Sequence, residues 1–367
     1  MTPRGLLHGL RARVSTHQFV GLFLLCCVAI GSAAPDDDAV QVRVERQAYL
    51  MGTYARLVTV APDRATGLQH LDRMLAVLER TDRELSTWDE TTPLSRLNRH
   101  PVAHPWRASP RLCDLFRELF RWHRETEGAF DPGVGSLIEA WGIRHGGRFP
   151  SPRVVEAATE RAGLRHFAFR ADVCTVTRLV DATLDAGAFG KGAALDRVAR
   201  AEHTRRDTPW MIDLGGQVAV SEAFSPNGWP VAVAHPSDRD EVVFELRLTA
   251  GSLAVSGGSE RDQWVEGARV GHILDPRTGQ PVNRRASVAV WHPHALGADV
   301  LATALYVMGV DEGFSWAASR GVAACFIGTR PSLSRPPGLA LHATPAFERR
   351  FSAVCSESGA TPMLANP

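Results

Sequence analysis

The chain has 367 residues, of which 44% are hydrophobic and 22% charged, with a formal net charge of +1. That is enough apolar material for a large core and excludes a disordered composition, and the near-balance of charge leaves no electrostatic footprint for a nucleic-acid partner. Length alone admits one large domain or two ordinary ones.

In chain order, the N-terminus reads as an export signal spanning residues 1–33. Arg4, Arg11 and Arg13 form a basic stretch, Phe19 to Ile30 is an apolar run, and "GSAAPDDD" follows with small residues that place cleavage near Ala33. The run is too short for a stable transmembrane helix; the alternative is a retained N-terminal anchor. Cys26 and Cys27 give only a weak lipoprotein signal, because Leu or Cys precedes each where a small residue is usual.

The mature chain then alternates between two patterns. "GTYARLVTVA" at 52–61 has strand character, and the helix after it carries Leu68, Leu71, Met74, Leu75 and Leu78 on one face. A second helix is marked by Ser109 as N-cap, Pro110 at its first position and Gly128 after its last turn. From about residue 166 short strand-like runs dominate: "MIDLGGQVAV", "WPVAVAH", "VVFELRLT", "SLAVSGG" and "SVAVWHP", interrupted by helices at 192–201 and 298–308. "RPSLSRPPG" has loop composition. The expectation is a single α+β domain over 34–345, without regular βαβ alternation, followed by a tail over 346–367. Four cysteines remain after cleavage: Cys113, Cys174, Cys325 and Cys355. An exported setting would permit disulfides, but the spacing fits no zinc pattern. Cys113, on an apolar helix face, and Cys325, in "VAACFIG", read as buried small hydrophobes rather than as a redox pair.

Four segments have the residue types of a reactive site. In "LGADVLATALYVMG" (296–309) Asp299 and Thr303 lie four apart on an otherwise apolar helix, so both side chains leave the same face. On the helix alone, capping and back-bonding are the simpler reading. "LDAGAFGKGAALD" (184–196) is a glycine-rich turn opening a helix with Lys191 at its mouth. It lacks the Walker spacing, and reads either as a diphosphate cradle or as a tight strand-to-helix turn. In "GAFDPGVGSLIEAWG" (128–142) Phe130 and Asp131 offer an aromatic face beside a carboxylate, or a hydrophobic plug beside a turn-forming Asp. In "GHILDPRTG" (271–279) His272 is a candidate general base or a structural histidine, and Asp275 belongs to an ordinary turn sequence.

Taken together these segments resemble the FAD:protein FMN transferases of the ApbE family. "MGT" (51–53), "STW" (86–88) with "LSRLN" (94–98), "GAFDP" (128–132), "DAGAFGKG" (185–192), "DLGG" (213–216), "SGGSER" (256–261), "HILDPRTGQPV" (272–282) and "ADVLATALYVMG" (298–309) run in the family's order from about residue 45 to 330. The resemblance implies a T-fold-like domain with a mostly antiparallel sheet and packed helices. It also implies FAD as substrate and Mg²⁺ as cofactor. FMN would move onto a Thr or Ser of a target flavoprotein, expected among membrane or periplasmic electron-transfer subunits. By position it implies FAD contacts at Met51, Trp88, Ala129, Phe130, Asp131, Asp185, Lys191 and Ile273. Mg²⁺ would be held by the carbonyl of Ala188 with the side chains of Asp299 and Thr303, and Lys191 and His272 would be the catalytic pair. An FAD pyrophosphatase and a non-catalytic flavin-binding assembly protein are the rival readings. Three positions depart from the family's pattern: Trp88 stands where Tyr is common, Val255 where Thr is usual, and Gln217 where Asp, Asn or Glu is frequent. They bear on substrate preference rather than on the proposed metal ligands.

Overall fold

The computed structural model describes residues 41–204, 208–222, 228–258, 262–329 and 339–351. The expected export signal, the whole "RPSLSRPPG" segment, Ser259 to Arg261 of "SGGSER", Cys355 and the expected tail beyond Phe351 lie outside the described residues.

Alternating apolar positions build an eight-stranded sheet. Its order is Val42–Leu50, Thr53–Ala61, Trp210–Leu214, Gln217–Val220, Gly251–Gly257, Ala286–His292, Ala323–Thr329 and Leu339–Ala343, and every neighbouring pair is antiparallel. Because successive side chains point to opposite faces, the sheet has two apolar sides. Leu57, Ile212 and Ala219 meet the helices Arg64–Leu85 and Gly190–Glu202. Val58, Met211 and Val218 meet the hairpin Trp229–His235/Asp238–Leu248. "MIDLGGQVAV" is not one strand but two, folded back at Gly215 and Gly216, which both take positive φ (58° and 83°) as a two-residue hairpin loop requires.

The helix Ala295–Met308 lies in the interior against the strands Gly251–Gly257 and Ala286–His292, with the helix Gly190–Glu202 alongside. Every residue of it is buried except Thr303, as expected of a helix that is apolar all round. Its N-terminal N–H groups are capped from outside: Ala295 and Leu296 donate to the Asp196 carboxylate at 2.5 and 3.1 Å. Asp299 is therefore not the cap. The second sequence helix forms as read, Pro110–Glu125, with Ser109 Oγ accepting from Leu112 N–H.

Some features were not legible in advance. The strand Val42–Leu50 precedes the first one read, and the helices Gly135–Ala140, Pro152–Arg161, Val310–Ser319 and Pro345–Phe351 are each too short to repeat an apolar period more than twice. The last of them seats Phe347 and Phe351 in the core, so the domain extends past the boundary expected at residue 345. Cys113 is not merely a buried hydrophobe. It forms a disulfide with Cys174, which sits in the turn before the strand Thr175–Arg178 and so ties that turn to the helix Pro110–Glu125. The pairing crosses 61 residues and depends on a tertiary approach that spacing could not reveal. Cys325 is buried as expected.

Candidate functional site

A cleft of about 1090 Å³ opens between the central helix, the glycine-rich loop and the hairpin turn at Met51–Gly52. Of the residues singled out in the sequence, Met51, Trp88, Ala129, Asp131, Asp185, Ala188, Lys191, His272, Ile273, Asp299 and Thr303 all line it. Phe130 does not: it is fully buried in the main core, so its ring face is closed to any ligand and the plug reading holds for that side chain.

The cleft floor is made where two helices meet. The helix Gly190–Glu202 begins against the central helix so closely that a Cβ on Gly192 would fall 2.5 Å from the Ala295 carbonyl oxygen and 2.8 Å from Asp299 Cβ. Only glycine permits this approach. It brings the Asp299 carboxylate onto the N-terminus of a helix not its own: Asp299 Oδ2 accepts from Gly192 N–H at 2.9 Å, and Oδ1 pairs with Lys191 Nζ at 3.2 Å. The positive end of a helix dipole favours an anion there. One turn further, Thr303 Oγ1 faces Ser256 Oγ at 3.4 Å. Asp299 is 3% exposed, and Thr303 is the one residue of its helix that is not buried; both line the cleft.

Among the described residues no group of three or more His, Cys, Asp or Glu could hold a metal ion. A cation at this floor would rest on one carboxylate with hydroxyl and carbonyl oxygens, namely Asp299, Thr303 and Ala188. That hard-oxygen set, with room for substrate oxygens, is what Mg²⁺ prefers, and the residues present fit it.

The loop entering the floor is held by its own side chain. Asp185 Oδ1 accepts from Gly187 N–H at 2.8 Å, while Oδ2 pairs with Arg144. Arg144 also donates to the Thr87 carbonyl and hydroxyl, and its guanidinium lies 4.9 Å from the centroid of the Trp88 ring. Trp88 is 70% exposed, so this cation–π contact fixes a ring that otherwise has water around it. Arg144 was missed in the sequence; "GIRHGG" carries no signal, and only folding brings it across 41 residues to Asp185.

Asp131 is occupied by its own turn. Its carboxylate accepts from Gly133 N–H at 2.7 Å and from Leu164 N–H at 3.0 Å, with His123 Nδ1 at 3.2 Å. Burial pushes its carboxyl pKa up, against the pull of the His123 charge and of these N–H groups. The expected result for Asp131→Ala is therefore a stability loss of about 1–3 kcal/mol from orphaned buried donors. A weaker FAD affinity would follow the turn rather than a lost ring contact. Thermal melting beside FAD titration separates the two: unchanged melting with lost affinity would restore a direct contact.

His272 gains a partner that the sequence did not single out. Its Nδ1 lies 2.8 Å from Asp262 Oδ1, its backbone N–H donates to the same oxygen, and Arg269 Nε lies 3.2 Å from Asp262 Oδ2. Asp262 thus fixes the ring orientation and directs the Nδ1 proton to itself, leaving Nε2 as the acceptor. Asp275 is a turn residue, accepting from Arg277 N–H. Gln217, one of the departing positions, lies off the cleft: its Nε2 donates to the Ala295 carbonyl at 2.8 Å and so supports the start of the central helix.

The ApbE family model matches residues 51–326. The FAD:protein FMN transferase of Klebsiella pneumoniae (strain 342) is 30% identical over 287 residues, covering 76% of this chain and 82% of the relative. That of Escherichia coli (strain K12) is 28% identical over the same length. Among solved structures, the ApbE protein of Thermotoga maritima superposes with a TM-score of 0.75 at 26% identity, covering 84% of this chain and 99% of that one. The flavin transferase ApbE of Vibrio cholerae gives 0.73 at 26%, covering 85% and 99%.

Proposed function

The chain belongs to the ApbE family, and from that premise we propose that it is an FAD:protein FMN transferase that moves the FMN half of FAD onto a Thr or Ser hydroxyl of a target flavoprotein and releases AMP. The observation that carries the reading is the cleft floor: a helix otherwise buried presents one carboxylate and one hydroxyl, Asp299 and Thr303, to the cleft beside the N-terminus that follows the glycine-rich loop.

The acceptor oxygen attacks the phosphorus that bears riboflavin. The bond from that phosphorus to the bridging oxygen breaks, AMP leaves with the bridging oxygen, and a phosphoester joins FMN to the protein. Such a transfer asks the protein for positioning and charge neutralisation. Asp299, Thr303 and the Ala188 carbonyl would hold Mg²⁺, which when bound supplies positive charge at the diphosphate. Lys191, at the same floor, adds a second cation. His272 receives the acceptor's proton at Nε2, and Asp262 stabilises the imidazolium so formed. Arg144 keeps Trp88 and Asp185 in place along the cleft wall.

The acceptor is proposed to lie outside the cytoplasm. The basic, apolar and small-residue series at residues 1–33 supports this, and so does the Cys113–Cys174 disulfide, which persists in oxidising compartments.

The test is mass spectrometry of exported redox proteins from cells with and without this protein, paired with nucleotide analysis of the purified protein given FAD and Mg²⁺. Transfer predicts a threonine or serine that carries FMN only when the protein is present, with AMP as the other product. Free FMN and AMP with no modified protein would establish the pyrophosphatase instead, and intact FAD throughout would establish a binding protein.

A further inference from the structure

We propose that the cross-strand pair Tyr49 and Tyr54 is a docking surface for the acceptor polypeptide at the cleft mouth; the inference rests on the transferase reading.

Tyr49 and Tyr54 lie directly opposite each other on the hairpin Val42–Leu50/Thr53–Ala61, with ring centroids 5.2 Å apart in an edge-to-face arrangement. They are 67% and 74% exposed, in a protein whose other tyrosine is buried. Two large rings packed edge to face in water have no role in the core. Rigid amphipathic rings of this kind are the residues that interfaces favour, because they offer contact area at little cost in conformational entropy.

The position of the pair is built. The turn between the tyrosines is Met51–Gly52, with φ of 52° and 71°, the two positive values of a tight hairpin loop. A non-glycine residue at positive φ is strained. Here the Met51 N–H is held by Asp82 Oδ2 at 3.1 Å, which pins the hairpin tip to the helix Arg64–Leu85. The Met51 side chain points inward: a Cβ on Gly190 would fall 3.2 Å from its methyl group, at the first residue of the floor helix. One short turn thus reaches the cleft floor with Met51 and holds two rings outside it, and Tyr49 itself borders the cleft.

The occupant follows from the reaction. A hydroxyl that belongs to a protein cannot reach the floor unless the acceptor backbone crosses the mouth, so whatever flanks the mouth is covered during transfer. The contact is apolar in kind. The neighbouring Arg56 on the same hairpin is already committed to Glu45 through two bonds of 2.7 and 2.9 Å, so the pair recognises its partner through ring faces and hydroxyls rather than through charge.

The experiment uses the acceptor found by the mass-spectrometric comparison above, purified from cells lacking this protein so that it carries no FMN. Initial rates of FMN transfer are measured against acceptor concentration for the full chain, for Tyr49→Ser/Tyr54→Ser, for Tyr54→Ser and for Tyr49→Phe/Tyr54→Phe, with FAD affinity, melting temperature and oligomeric state recorded for each. The double serine variant should raise the KM for acceptor by about tenfold, the scale of losing one interface anchor. Its kcat, FAD affinity and melting temperature should hold, and the loss should be the same at high salt. Tyr54→Ser should give part of the loss, and the phenylalanine variant should recover most of it. An unchanged KM in a double variant that folds and binds FAD would overturn the proposal. Loss of FAD affinity with unchanged acceptor KM would overturn it in favour of a flavin wall, and a shift in oligomeric state with unchanged KM would overturn it in favour of self-association. If the unaltered protein transfers no FMN to any acceptor, the transferase reading falls and the docking role falls with it.

Discussion

Asp299→Asn is expected to abolish FMN transfer, by roughly a thousandfold or more, while FAD still binds through the cleft walls. Among the described residues this is the one carboxylate that either helix presents to the cleft, and its removal takes away the charge that a divalent cation needs. Asn is a better probe than Ala. Asp299 accepts from Gly192 N–H and pairs with Lys191, so Asp299→Ala orphans a buried donor and leaves an ammonium unpaired, at a cost of about 1–3 kcal/mol in stability. The asparagine carbonyl keeps the Gly192 bond. Thr303→Val preserves shape and removes one oxygen. It should raise the Mg²⁺ concentration needed for half-maximal rate and slow transfer less than Asp299→Asn does. The measurement is AMP release and acceptor-bound flavin across a Mg²⁺ titration, with melting recorded in parallel. Near-normal transfer in a folded Asp299→Asn protein would remove the physical support for a cation at this floor.

The second large effect is on stability. Replacing Cys113 and Cys174 together by Ser, or reducing the bond, should cost up to about 4 kcal/mol, the loop-closure estimate for a crosslink spanning 61 residues. The melting temperature should fall by on the order of 5–10 °C. The bond joins the helix Pro110–Glu125 to the turn that enters the central strand of the small sheet Pro105–Arg107/Thr175–Arg178/Phe167–Arg170, and neither cysteine lines the cleft. Transfer below the transition should therefore persist in the reduced protein. Equal melting temperatures with and without reductant would show that the crosslink adds nothing to the folded state; loss of transfer at full fold would show that it positions the cleft.

The sequence by itself determined what local chemistry governs. Period-two runs placed five of the eight strands of the main sheet and the hairpin Trp229–His235/Asp238–Leu248, Ser109–Pro110 placed a helix start, and an almost wholly apolar segment required a buried helix with two unexplained oxygens on one face. The ordered motifs identified the family, and of the candidate site residues they supplied all but Phe130 line the cleft. The tertiary structure decided what depends on residues far apart in the chain. Asp196 caps the central helix from 99 residues away, which frees Asp299 from the role that its place in the sequence gave it. Cys113 meets Cys174, Asp262 meets His272, and Arg144 meets Asp185, none of which leaves a periodicity or a spacing to read. Phe130 shows the same limit in reverse. An aromatic beside a carboxylate looks alike in sequence whether its ring faces a ligand or the core, because burial is set by what folds over it, and here the main core closes over the ring entirely.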